Sequence, residues 1–318
     1  MKTLYVFLLL CLPAALMAQD YKGVDAFARS VSFSKDYEAK AKELSARYES
    51  EEEQVRAIFT WIAHHIRYDK GQARRYKPGQ GEVVRAQSEA ELERLEQARI
   101  AEKLDRMLRK RKGVCQDYCW LLQAMLNSLG MESAFVSGYS RTSPEQMGRT
   151  PRQPAHAWNA VRVDGDWQLL DLTWSTDMEE YGSNGFFLMP PEEFLKSHYP
   201  SDEKWQLLDN PITLEEWADR VYWHKSYNRH DISDLRVDGE PHQHYVIPYE
   251  SVLSLHAQLP PGQKLYAFRN SGNKQVELEK SGQTYTVDLK ANRLRGTVTV
   301  GVLQGQRLSP VLTFRVRS

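Results

Sequence analysis

The dipeptide Asp164-Gly165, set between apolar-rich runs at 155–163 and 166–173, constrains the fold of this chain more than any other feature. Asp-Gly in a two-residue loop takes up a turn whose twist matches that of paired strands, so it predicts a β-hairpin. Such a loop pairs Val163 with Asp166, and every cross-strand pair then sums to 329. In that register His156 falls opposite Thr173 and Asp171 opposite Trp158, which puts His156 and Asp171 on one face as diagonal neighbours. Diagonal partners lie about 7–8 Å apart, within reach of long side chains. A three-residue loop would put the two on opposite faces. Asp171 also stands among Leu169, Leu170 and Leu172, where a carboxylate needs a partner.

A second constraint precedes the hairpin. Cys115, Tyr118, Cys119, Leu122, Met125, Leu126 and Leu129 form one helical stripe over 115–129, and Gly130 supplies the stop. Cys115 opens this helix behind Gly113, which lets the chain turn sharply and leaves the sulfur approachable. A thiol there faces unpaired backbone N–H groups and the positive end of the helix dipole, both of which favour thiolate. Cys115 is therefore the candidate nucleophile, with His156 as base and Asp171 as the group that orients it. Taken singly, each has a plainer role, since a Cys on an apolar stripe usually packs and a strand His usually makes a structural hydrogen bond. It is the three together that point to catalysis. Cys119, one turn deeper, reads as packing.

Around this centre the chain is ordered by texture. Residues 36–66 carry helical periodicity, with Glu51, Glu52 and Glu53 where a helix start favours acid. Residues 88–112 are dense in Glu, Arg and Lys and read as a solvated helix. A strand is expected over 133–138, then a loop rich in Pro, Arg and Ser over 140–154, while 186–230 is aromatic-rich and loop-like. Beyond 231, short runs at 251–258, 264–269, 285–290, 296–303 and 311–316 alternate with Gly, Pro and Asn turns, as in a small immunoglobulin-like β-sandwich. The expected class is α+β, a central helix packed on an antiparallel sheet followed by the sandwich. The expected division is 1–18, 19–230 and 231–318.

Residues 1–18 are an address. Lys2 gives a positive start, 4–12 an apolar run and Ala18 a small residue at the cleavage point, which together predict a secretory signal peptide and a secreted or periplasmic protein. No later apolar run reaches membrane-spanning length. Cleavage leaves Cys115 and Cys119 of the three cysteines, too few for a disulfide framework. The 42 basic residues balance 42 acidic ones, which argues against nucleic acid as partner. No metal-type spacing accompanies His64-His65, His242 or His244, so these read as solvated or packing histidines, and no metal or other cofactor is expected. Trp158, Trp167 and Trp174 suit either a substrate groove or the core. Arg74-Arg75 and 109–112 read as solvated basic faces.

Three stretches, Gly113-Val114-Cys115-Gln116-Asp117-Tyr118, Ala155-His156-Ala157-Trp158-Asn159 and Trp167-Gln168-Leu169-Leu170-Asp171-Leu172-Thr173-Trp174, together resemble the core of the transglutaminase-like superfamily. Upstream, Arg56-Ala57-Ile58-Phe59-Thr60-Trp61-Ile62-Ala63 with Ile66-Arg67-Tyr68-Asp69 is similar to the helix preceding that core. Phe187-Leu188-Met189-Pro190-Pro191, His198-Tyr199-Pro200 and Trp205-Gln206-Leu207-Leu208 resemble the kyphoscoliosis-peptidase-like branch. The likeness covers about 36–220 and leaves the C-terminal β region outside. It implies a papain-like fold with a Cys-His-Asp triad at Cys115, His156 and Asp171. The activity implied is hydrolysis of peptide or amide bonds in a protein or peptide substrate, cell-wall or surface material included. The same fold also serves protein-crosslinking transamidases and non-catalytic scaffolds.

Overall fold

A computed structural model of the chain describes residues 20–75, 85–176, 185–230, 232–238, 244–269, 275–304 and 307–317. The expected leader and His242 lie outside these residues. The periodic stretch 36–66 divides into α2 (Tyr37–Ser45) and α3 (Glu51–His65), preceded by α1 (Lys22–Ser30). The break falls at Ser50, whose Oγ accepts from the Glu53 N–H and caps α3, with three glutamates in its first turn. Arg56, buried on α3, makes a two-point ion pair to Asp25 of α1 through Nε and Nη2, both at 2.7 Å, and Thr60 Oγ1 donates to the same carboxylate. A buried guanidinium without such a partner would be strongly destabilising.

After β1 (Arg67–Tyr68) and α4 (Lys70–Arg75) comes α5 (Glu89–Lys110), the charged helix expected from sequence. Only its last turns enter the core, through Leu104, Met107 and Leu108. β2 (Lys112–Gly113) runs parallel to β1 and leads into α6 (Cys115–Asn127). Gly130 takes φ 79°, and Met131 N–H returns to Leu126 O at 3.1 Å, so the predicted helix stop is a left-handed C-terminal cap.

One face of α6 packs on an antiparallel sheet of order β5-β4-β3-β6, built from β3 (Ser133–Ser140), β4 (His156–Val163), β5 (Asp166–Leu170) and β6 (His198–Pro200). Asp164 and Gly165 both take positive φ, 52° and 92°, the geometry of the mirror-image turn, and the ladder runs from Val163↔Asp166 to Asn159↔Leu170 as the register predicts. Val161, Val163 and Leu170 face the helices, while Val136, Trp158, Ala160 and Leu169 join Trp174, Phe186 and Phe194 on the opposite face. The aromatic-rich stretch 186–230 is more ordered than its texture suggests. It contains a helix Pro191–Leu195, the edge strand β6, a helix Leu214–Ala218 and β7 (Tyr222–Trp223), held by buried rings rather than by a repeating pattern.

β7 pairs with the last strand of the chain, so the C-terminal region reaches back to residue 222. That region has two sheets. One orders β13-β14-β10-β8, from Glu279–Ser281, Thr284–Asp288, Val252–Gln258 and Ser233–Val237. The other orders β12-β11-β15-β16-β7, from Gln275–Glu277, Leu265–Arg269, Gly296–Gln304, Arg307–Arg317 and β7, with β9 (Val246–Pro248) parallel to β16. Leu255, Tyr285 and Val287 of the first sheet share one buried cluster with Val298, Val300 and Phe314 of the second.

Gly138 on β3 stands between His156 of β4 and Pro200 of β6. A Cβ there would lie 2.3 Å from Tyr199 O and 2.4 Å from the Trp158 ring. Gly138→Ala therefore must push β6 away and should destabilise the protein by about 1–3 kcal/mol, as overpacking does. Urea unfolding measures this, and an unchanged midpoint would show that β6 does not sit so close.

Candidate active site

The first turn of α6 is fixed by its own sequence. Asp117, at the third helical position and buried, turns back so that its Oδ2 accepts the Val114 N–H at 2.9 Å. Gly113 proves necessary for close approach and not for a turn, since a Cβ would meet Asp117 Cβ and Met107 Cε, each at 2.9 Å. Cys115 is thereby presented, half-buried, to a small cavity of about 90 Å³ that also receives Tyr68, Gln116, Ser137, Pro154 and His156. Burial pushes the Tyr68 phenol up to about 12, with the negative charges of Cys115, Asp171 and Asp117 adding to the effect. The Cys119 thiol is buried and pushed well above its ordinary range by that burial, and both cysteines are free.

His156 opens β4. Its Nε2 meets Asp171 Oδ2 at 2.5 Å, which leaves Nδ1 for the cavity where Cys115 lies. The meeting with Asp171 is not the ladder diagonal expected from the hairpin. The ladder ends at Leu170, and Asp171 leaves it: its N–H donates to Phe186 O at 2.8 Å, and its Oδ1 accepts from Trp174 N–H at 3.0 Å. A carboxylate that can fold its own chain into a turn ends the strand at that point. The turn carries Oδ2 to the imidazole.

The same oxygen takes a second histidine. His198 Nε2 lies 3.0 Å from Asp171 Oδ2, and its Nδ1 is 2.8 Å from Ser197 Oγ. His198 is fully buried among Trp158, Trp174, Phe186 and Phe194, with ring centroids 4.3–5.3 Å away. Burial pushes its pKa down to about 4, so at neutral pH it is the uncharged tautomer that donates to Asp171 and accepts from Ser197. Burial likewise disfavours charge on His156, but the Asp171 charge and hydrogen bond outweigh it. A hydrogen bond and charge from Cys115 add to them and carry His156 up to about 10. Asp171, buried against its charge, is held far below the usual carboxylate range by His156 first and by His198 after it. His156 is thus held against the Asp171 carboxylate on one side, and its other side lines the cavity of Cys115. The side-chain donor atoms of His156, Asp171 and His198 fall within 4.8 Å of one another, as metal ligands would. Here both imidazoles direct Nε2 at a single carboxylate oxygen.

Sequence reasoning named Cys115, His156 and Asp171 but gave His198 no role. Its signals in the sequence are the His198-Tyr199-Pro200 stretch of the branch resemblance and an aromatic-rich setting, where buried ring nitrogens must find partners, and neither ties the imidazole to Asp171. The other singled-out residues pack or pair. Trp158 and Trp174 are in the core, Trp167 lies edge-on to Trp205 with centroids 5.1 Å apart, His65 bonds Trp61 O through Nδ1 at 3.0 Å, and exposed His244 pairs with Asp219. Among the described residues no helix is long and apolar enough to cross a membrane.

With this geometry in place, comparison with known proteins assigns the class. Residues 38–172 match the transglutaminase-like superfamily, so this part of the chain is a transglutaminase-like domain. The chain is similar to the kyphoscoliosis peptidase of Homo sapiens, 30% identical over 226 residues that make up 68% of this chain and 31% of that protein, and it falls in that branch. The kyphoscoliosis peptidase of Mus musculus is 28% identical over 281 residues, 84% of this chain and 38% of that protein. This chain thus spans roughly a third of these relatives' length. Among solved structures, one described as a TGase covers 50% of this chain and 35% of its own, at 17% identity and a TM-score of 0.30.

Two outcomes follow from the titration of the network. His156 has a folded pKa of about 10, above the ordinary 6.5, so its pairing stabilises the fold fully below pH 6.5. That stability should drain away as pH rises from 6.5 towards 10, and His156→Asn should flatten the decline in urea unfolding measured across this range. An NMR midpoint for His156 near 6.5 would refute the pairing. Asp171 behaves in the opposite sense, stabilising above its unfolded pKa and losing that contribution on acidification. His198→Phe keeps the packing and removes one donor, so Asp171 should protonate more readily and the acid-unfolding midpoint should move to higher pH.

Proposed function

We propose that this protein is a secreted cysteine hydrolase that cleaves peptide or amide bonds through a thioester on Cys115. The observation that carries this reading is the placement of His156, bound to Asp171 through Nε2 and sharing a cavity with Cys115, and the Asp171 charge favours its protonated form. A protonated imidazole stabilises a neighbouring thiolate and stands ready as general acid. The thiolate attacks the carbonyl carbon, and its negative charge passes to the carbonyl oxygen. The Cys115 backbone N–H at the start of α6 serves as one donor to that oxyanion. On collapse the C–N bond breaks, His156 gives its proton to the departing amine, and the acyl group remains on sulfur. Neutral His156 then takes a proton from water, hydroxide adds to the thioester, and the acid leaves as thiolate and imidazolium are restored. Asp171 holds the ring orientation throughout, and His198 holds Asp171.

The substrate in this reading is a protein or peptide met outside the cytoplasm, after removal of the leader 1–18 exposes Gln19. The division 19–230 and 231–318 goes with it, the second part being an immunoglobulin-like sandwich that borrows β7 and attaches the enzyme to a cell-wall or surface partner. Mass spectrometry of the secreted protein should find Gln19 as the first residue.

Iodoacetamide labelling tests the nucleophile. Cys115 should alkylate far faster than Cys119 at neutral pH, Cys115→Ala should abolish the fast phase, and His156→Ala should slow it by about a hundredfold or more. Equal rates at the two cysteines would end the assignment and favour a non-catalytic scaffold. Release of peptide fragments marks hydrolysis, whereas incorporation of an added primary amine without hydrolysis would mark a transamidase.

A further inference from the structure

Basic residues that the sequence scatters across two stretches meet in the fold. Arg75 at the end of α4, Lys103, Arg106 and Lys110 on α5, and Lys112 on β2 line one cavity of about 290 Å³. The three α5 residues follow at i, i+3 and i+7 and so share a helix face. The carboxylates of that cavity are Asp69 and Asp117, and both are engaged by backbone: Asp69 Oδ1 accepts from Gln72 N–H at 2.9 Å and Asp117 Oδ2 from Val114 N–H. Five cationic side chains against two carboxylates leave a formal excess of three positive charges. Burial draws the Asp117 pKa upward, while its Val114 hydrogen bond and the charges of Lys103 and Arg106 act the other way. A concave site of one sign concentrates the field and selects for the opposite charge.

This cavity adjoins the one that holds Cys115. Asp69, Gln72 and Asp117 line the basic side, while their chain neighbours Tyr68, Ala73 and Gln116 line the thiol side. The seam between the two is thus a single thickness of chain in three places. The whole chain carries no net charge, so the excess is local to this spot and not a general polyanion surface.

We propose that the basic cavity is a specificity subsite that takes carboxylate side chains of an acidic peptide whose reactive amide lies at Cys115. The inference rests on the hydrolase reading and adds the substrate class to it. The charged segment 71–112 acquires a purpose, since it supplies every one of the five cations.

The test uses the full chain with Cys115→Ala and rhodamine-labelled peptides that differ only in carrying Glu, Gln or Lys beside a central amide residue. Fluorescence anisotropy should show the Glu peptide binding about tenfold or more tighter than the Gln peptide at low salt, with the gap closing as ionic strength rises. Lys110→Glu combined with Lys112→Glu, both at exposed positions, should bring the Glu peptide to the affinity of the Gln peptide, and Lys110→Gln with Lys112→Gln should do so in part. Circular dichroism melting confirms that these variants fold. Equal binding of the Glu and Gln peptides, or a preference that survives the charge reversal, overturns the proposal. Iodoacetamide labelling of unmodified Cys115 separates the two readings. A charge preference with an unreactive Cys115 sinks the hydrolase and leaves an acidic-peptide site, while a reactive Cys115 without the preference sinks the subsite alone.

Discussion

The Asp171 carboxylate, wholly buried, is the group on which the surrounding structure depends. Removing a carboxylate from water is costly unless its oxygens are fully engaged. The carboxylate meets that demand with three partners, Trp174 N–H on Oδ1 and His156 and His198 on Oδ2, while Ser175 Oγ donates to the Asp171 backbone carbonyl. Each partner comes with a structural consequence. Trp174 and Ser175 fold the chain out of β5, His156 fixes the start of β4, and His198 fixes the edge strand β6. One buried charge therefore ties the hairpin, the edge strand and the aromatic cluster to a single geometry.

The two histidines on that oxygen are not equivalent. His156 keeps one side towards the Cys115 cavity, and the nearby negative groups make it cationic. His198 is sealed among four aromatic rings, with Lys225 disfavouring its protonation, and stays neutral. The asymmetry divides the labour. His156 keeps one nitrogen on the cavity side and can move a proton there, while His198, with Nδ1 on Ser197 and Nε2 on Asp171, can only hold the carboxylate still. Packing of the rings around His198 thus has an electrostatic outcome at His156, two strands away across β3.

Much of this was legible from local pattern. The mirror-image turn at Asp164-Gly165 set the hairpin register because a two-residue loop permits only one pairing, and the Cys115 helix followed from its apolar stripe and Gly130. The acidic run Glu51–Glu53 marked the start of α3 within the periodic stretch 36–66, and the Ser50 cap is what separates α3 from α2 there. The short elements within 186–230 were missed. They are too brief to show a period, and only the core they enter holds them in place. His156 and Asp171 were correctly expected to meet, but by a ladder diagonal, whereas an Asp-induced turn at the strand end brings them together.

By itself the sequence determined the elements whose information is local, namely the hairpin, the nucleophile-bearing helix, the charged α5 and the alternating runs of the C-terminal sheets. It also marked Cys115, His156 and Asp171 as a group through their residue types and their places on those elements. Only the tertiary structure decided that His198 shares the Asp171 oxygen and that five cations from α4, α5 and β2 face one cavity beside the thiol. The physical reason is the same in both cases. These contacts join residues distant in the chain, His198 to Asp171 across 27 positions and Arg75 to Lys112 across a whole helix, and no periodicity or spacing rule reaches that far. Burial and charge, which set protonation and affinity, exist only once the chain has closed around them.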